Sequence, residues 1–151
     1  MNIFVLDHDP RNAANYQCDK HVIKMCLETA QLLCSVFNDA PYKRTHYNHP
    51  CSKWVRESST NFQWLLDHGI ALCDEYSNRY QKTHKSLSVI LWCRDNFDTL
   101  TFQKSSYTNH PLCMPDDCKI GSVVESYRNY YIHYKRDFAT WKKSPCPYWW
   151  K

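Results

Sequence analysis

The sequence predicts a mainly α protein: a single compact domain of four to five helices preceded by a short extended segment. Three observations lead there. Apolar residues recur at three- and four-residue steps over long stretches, as one face of a helix requires. Glycine occurs only twice in 151 residues, which leaves few positions for the left-handed turns of hairpins and disfavours an all-β fold. Hydrophobic residues make up 43% of the chain, enough for a core and too many for global disorder. The length suits one domain over 1–151, and no linker or low-complexity segment divides it.

Asn2–Leu6 (NIFVL) is the extended segment, either a strand or a buried run. Asp9-Pro10 starts a helix, with Asp as cap and Pro at the first helical position. Ala14, Cys18, Val22, Met25, Leu32 and Val36 carry the pattern to about Phe37, beside a polar stripe of Gln17, His21, Lys24, Glu28 and Gln31. Asn38-Asp39-Ala40-Pro41 ends it. Residues 41–49 form a basic loop. Pro50 opens a second helical stretch that reaches Tyr80, and Ser58-Ser59-Thr60-Asn61 is where it can split, because such side chains compete for backbone hydrogen bonds. A third helix is predicted over 83–95. Residues 96–121 lack periodicity and read as a long loop, a class more often functional than not. Ser122-Val123-Val124-Glu125 is a capping box. Val124, Tyr127, Tyr131, Tyr134, Phe138 and Trp141 then extend a last helix towards Pro145 and Pro147.

Nine cysteines could suggest a disulfide scaffold. The count is odd, no secretory signal precedes them, and Cys18, Cys26 and Cys34 recur every eight residues, nearly one helix face. Most of them read as buried free thiols in a reducing compartment. No apolar run is long enough to span a membrane. The net charge of +4 permits a nucleic acid or nucleotide partner without demanding one. The eight histidines can donate, accept or bind metal near neutral pH.

Candidate chemistry falls in several places. Lys20, His21, Lys24 and Glu28 bring amine, imidazole and carboxylate within two turns of one helix; this is an acid–base cluster or an ordinary solvated face with ion pairs. Arg79 to Lys85 (RYQKTHK) is densely cationic beside a helix junction, and Lys43, Arg44, His46 and His49 form a second basic group. With Arg128 and its neighbouring tyrosines these could line a groove that stacks bases and holds phosphates; for Tyr127, Tyr131 and Tyr134 the helical spacing favours burial instead. His46-x2-His49-x-Cys51 and Cys113-x4-Cys118 offer ligand types without the matched pairs of structural zinc sites, so no metal and no cofactor are expected. No P-loop, dinucleotide-binding, G-x-S-x-G or kinase signature is present.

The segments MNIFVLDHDP, CDKHVIKM, NHPCSKWVRES, RYQKTHKS, CMPDD and SVVESYRNYY resemble a family of small proteins from bacteriophages and large DNA viruses. The order of short N-terminal segment, helix, basic loop with NHP, then an aromatic helix ending EY-x-x-RY is similar to the pyrimidine dimer DNA glycosylases of the endonuclease V type. That likeness implies a compact helical protein that removes a damaged base and cleaves the strand through a Schiff base on its N-terminal amine, supported by a glutamate on the first long helix. Met1 is the residue in question, since an initiator methionine before Asn2 is often retained, and Glu28 is the candidate glutamate.

The leading expectation is therefore a viral, DNA-directed glycosylase and abasic-site lyase, or a relative that only binds DNA, acting in the host cell cytoplasm. Met1, His21 and Glu28 are the candidates for chemistry. His8, Lys24, His49, Arg56, Arg79, Lys82, His84, Lys85 and Arg128 are the candidates for holding the ligand, with Arg56, Lys82, Lys85 and Arg128 on phosphates and His49 and His84 as hydrogen-bond donors. The alternative is a non-catalytic binder that sequesters a nucleotide or a nucleotide-derived host immune signal in a preorganised pocket. A third reading is an adaptor using the aromatic tail Pro147-Tyr148-Trp149-Trp150, which more simply packs on the body. A homo-oligomer is compatible with each.

Overall fold

A computed structural model describes residues 1–151 and is mainly α. Six helices follow in order: α1 (Pro10–Asn15), α2 (Asp19–Cys34), α3 (Pro50–Glu57), α4 (Ser59–Tyr80), α5 (Leu87–Asp95) and α6 (Val123–Tyr134). Short 3₁₀ turns at Phe97–Thr99 and Asp116–Cys118 punctuate the long loop. Ser58 and Lys104 form an isolated parallel bridge. No helix is long and apolar enough to cross a membrane.

Helix α4 is the hub, packing against α1, α2, α3 and α5. Gly69 lets α4 come close to two neighbours: a Cβ there would lie 2.9 Å from the Thr29 methyl of α2 and 3.2 Å from Ile90 of α5. The extended segment is no strand. Ile3, Phe4, Val5 and Leu6 are all buried and thread the core. Asn2 anchors them: its Nδ2 donates to the Cys113 carbonyl at 2.9 Å, and its Oδ1 accepts from the Tyr127 hydroxyl at 3.0 Å.

The long first helix read from the sequence is broken at Tyr16–Cys18, because tertiary partners take over the backbone groups there. Trp141 Nε1 donates to the Tyr16 carbonyl, Arg79 Nη2 to the Asn15 carbonyl, and the Cys18 N–H donates to the Tyr131 hydroxyl. Asp19 N–H donates to the Thr140 carbonyl at 2.8 Å. These partners lie 60 residues or more away, beyond the reach of a local pattern. The second split falls where the polar cluster allowed it. Ser58 ends α3 in an extended conformation and caps α4, accepting from the Thr60 and Asn61 N–H groups.

The third helix starts later than the sequence suggested. Gln81 closes α4 in the left-handed region (φ 58°). His84 then bridges the junction, its Nδ1 accepting from Ser86 N–H and its Nε2 donating to the Ile23 carbonyl. Helix α6 has the expected capping box, Ser122 with Glu125. It stops at Tyr134, short of Trp141, and turns through Lys135–Ala139 to bring Thr140 to Asp19. Tyr127 and Tyr131 are fully buried as their spacing suggested, whereas Tyr134 is exposed. In the tail Trp149 is buried against the body and Tyr148 is not. All nine cysteines are free, and seven are buried.

One buried ion cluster ties these pieces together. The Arg79 guanidinium, with no exposed side-chain surface, meets Asp19 at 3.1 Å and Glu75 at 2.8 Å. Asp19 also accepts from the Lys142 N–H and the Thr140 hydroxyl. Removing the cation would strand two carboxylates in a poorly solvated site. Arg79→Met is expected to destabilise the fold by about 3 kcal/mol, in the range for one broken buried pair, read as a lowered urea midpoint at neutral pH.

Candidate active site

The extended segment delivers the chain's first residue to the side of α2. The Met1 α-amine lies 3.3 Å from Glu28 Oε1, with Met1 and Glu28 side chains only 3% and 11% exposed. Lys24, one turn earlier, reaches Glu28 Oε2 at 3.6 Å. The i, i+4 spacing of a helix puts this lysine and glutamate on one face. The carboxylate thus bridges two ammonium groups, one on each oxygen.

A cavity of about 190 Å³ opens beside this pair, lined by His21, Lys24, Glu28 and Met1 together with Phe4, Tyr130 and Lys135. His21 stacks on Phe4 with ring centroids 4.3 Å apart. Its Nδ1 lies 2.5 Å from the Tyr131 hydroxyl. That hydroxyl also accepts the Cys18 N–H. Burial lowers the His21 pKa to about 3, helped by Lys135, Lys24 and Lys20. The ring is therefore neutral at ordinary pH. Lys135 Nζ donates to the Tyr130 hydroxyl at 3.1 Å and sits 4.4 Å from the Tyr130 ring centre.

His49 borders the same region. Burial lowers its pKa first, the Met1 ammonium and His46 lower it further, and Glu28 acts in the opposite sense. Its Nδ1 accepts the Cys51 N–H and caps α3.

Of the candidates for chemistry, Met1, His21 and Glu28 come together, with Lys24 beside them and His49 near. The other proposed ligand holders do not join them. Arg79 is locked in its internal cluster. Arg128 donates to the Leu6 carbonyl at 2.8 Å, pairs with Asp7 at 3.4 Å and faces Tyr16, Tyr148 and Trp149, clamping the tail onto the body. His84 has both ring nitrogens occupied by backbone. Arg56 donates to the Tyr47 carbonyl, stacks 3.8 Å from the Tyr47 ring centre, and lines a separate groove of about 740 Å³ with Lys53, Trp54 and Glu57. His8, Lys82 and Lys85 are not among the cavity's lining residues: His8 is exposed before α1, and the two lysines are exposed between α4 and α5.

Lys135 is the cavity residue that the sequence reading missed. Its signal was its place four residues after Tyr131, at the C-cap of α6, where its N–H donates to the Tyr131 carbonyl; a helix expected to run on to Trp141 hid it among ordinary surface lysines.

A family description of pyrimidine dimer DNA glycosylases matches residues 1–89. The chain belongs to the pyrimidine dimer DNA glycosylase family. The matched part of this glycosylase-family protein holds Met1, His21, Lys24, Glu28 and His49, while Tyr130 and Lys135 close the cavity from outside it. No curated protein and no solved structure matched the chain.

The neutral His21 carries a pH dependence. An unfolded imidazole protonates near 6.5, the folded one near 3, so between these values the unfolded state binds the extra proton. His68 and His110, lowered by burial to about 4 and about 3, act in the same sense. Stability is expected to be full above about pH 6.5 and to fall as pH drops towards about 4. Urea midpoints across that range test the slope, and the His21 ring resonances should show no titration there.

Proposed function

We propose that this protein removes a damaged base from DNA and cleaves the resulting abasic site, with the Met1 α-amine as nucleophile and Glu28 as its proton partner. The observation that carries the reading is the amine–carboxylate pair, nearly buried beside a cavity whose rim bears Lys24 and Lys135. Family membership supports DNA as the substrate.

The chemistry follows from the groups present. The amine gives a proton to the Glu28 carboxylate, and its nitrogen attacks C1′ of the damaged nucleotide. The N-glycosidic bond breaks, and the base leaves with that electron pair and with the proton shed by the newly bonded nitrogen. The sugar ring then opens: the C1′–O4′ bond breaks, O4′ takes the proton from Glu28, and nitrogen and C1′ form an iminium. Loss of a C2′ proton to the carboxylate expels the 3′ phosphate, because the iminium accepts the electrons of the C2′–H bond. Lys24 and Lys135 hold backbone phosphates at the rim. His21 forms a neutral, hydrogen-bonding wall and stacks on Phe4; its low proton affinity leaves proton movement to Glu28.

Borohydride reduction on abasic DNA tests this reading. The expected result is a covalent adduct whose peptide mass maps to the Met1 nitrogen, with intact mass showing a free α-amine. An adduct on a lysine, or none from protein with a free amine, overturns it. Glu28→Gln is expected to lower strand cleavage about 10²- to 10⁴-fold, the usual contribution of a proton-transfer group, while leaving DNA affinity nearly unchanged. Lys135→Ala should instead weaken binding and reduce the slope of log affinity against log salt by about 1.

A further inference from the structure

The amine's other neighbourhood is a cluster that the glycosylase reading does not use. Cys51 lies in the first turn of α3 and Cys113 in the long loop, 62 residues later, yet their sulfurs stand 3.8 Å apart as free thiols. An imidazole nitrogen of His49 and both sulfurs all lie within 4.8 Å of one another.

These distances fit a tetrahedral ion. Two thiolates bonded at about 2.3 Å to one zinc stand about 3.8 Å apart, and a thiolate and an imidazole nitrogen about 3.6 Å apart. The sulfur pair already has that separation, and the ring needs at most about 1.2 Å of approach, within the reach of a side-chain rotation. Binding through Nε2 would keep the ring's bond to the Cys51 N–H; binding through Nδ1 would exchange it for the metal.

A comparison inside the same molecule shows what sets this pair apart. Cys34 and Cys93 are also 3.8 Å apart, but both are fully buried and belong to no such ligand group. Touching thiols alone do not make a site. Here a third ligand of the right chemistry converges, and His49 and Cys113 are only partly buried, so an ion has a way in.

The scaffold is held independently of any ion. The Cys113 N–H donates to the Tyr127 hydroxyl, the Cys113 carbonyl accepts from Asn2, and the one Tyr127 proton is shared between the Pro111 carbonyl and Asn2 Oδ1. Asn2 Oδ1, 4.0 Å from Cys51 Sγ, already accepts from the Ile3 N–H and Tyr127, which leaves the fourth position to solvent.

We propose that His49, Cys51 and Cys113 bind one zinc-class divalent cation with water in the fourth position. The ion joins the start of α3 to the loop that anchors Asn2, and so braces the segment carrying Met1. Spacing along the chain concealed the site because it takes two ligands from one segment and one from another.

The test uses the full chain, reduced, loaded with zinc and desalted. Elemental analysis should find about one zinc per chain, falling below about one tenth in Cys113→Ser and His49→Ala and staying at about one in Cys93→Ser. Cobalt in place of zinc should give the visible absorption of a tetrahedral ion and a thiolate charge-transfer band in the wild type, a readout that needs no variant. Zinc should also raise the melting temperature of the wild type and not of Cys113→Ser. Wild type that retains no zinc, cobalt without a thiolate band, or Cys113→Ser that holds zinc like the wild type each overturns the proposal.

Discussion

The structure depends on burying an extended apolar segment at the very start of the chain. Ile3 to Leu6 enter the core without a sheet to pair with, so side chains must hold them. Asn2 to Cys113 and Tyr127, Arg128 to the Leu6 carbonyl, and Phe4 against His21, Tyr127, Tyr130 and Tyr131 do that work. Because the segment is fixed, its first atom is fixed. A terminal amine, ordinarily a mobile group, becomes a placed one, 3.3 Å from a carboxylate. Positioning of this kind is worth several kcal/mol to a reaction that would otherwise require two free groups to meet.

The electrostatics around that amine have one organising feature. A single carboxylate, Glu28, faces two cations directly, with Lys20 and Lys135 among the further charges around the neighbouring His21. Excess positive charge suits a polyanionic substrate. Burial, with these charges adding to it, keeps the neighbouring imidazole neutral, so the proposed proton exchange falls to Glu28 and the ring is left as a hydrogen-bonding wall. The two roles are separated by environment rather than by residue type, since histidine is the ordinary choice for a proton carrier near neutral pH.

Much of the molecule's basic character works inward. Arg79 neutralises Asp19 and Glu75 within the core, Arg128 clamps the tail, Arg56 braces the loop at Tyr47, and His84 joins α2 to the α4–α5 turn. Arg79, buried and bonded through all three of its nitrogens to carboxylates and a carbonyl, is out of reach of a phosphate. The fold therefore replaces the broad basic groove suggested by composition with a small site around the chain's first residue and a separate groove beside α3.

The sequence by itself determined the helical class, the caps at Asp9 and Ser122, the place where the second helical stretch divides, most of the buried free thiols and the burial of Tyr127 and Tyr131, because each follows from spacing within about two turns of one chain segment. It also placed Glu28, Lys24 and His21 on one helix and named Met1 as their possible companion. What only the tertiary structure decided was which charges meet. The break at Tyr16–Cys18, the early end of α6, the arrival of Lys135 and the meeting of Cys113 with His49 and Cys51 all rest on contacts between distant segments. Helical periodicity reports which face turns inward; it carries no information about which residue of another segment waits there, and long flexible basic side chains bond whatever acceptor the folded core presents.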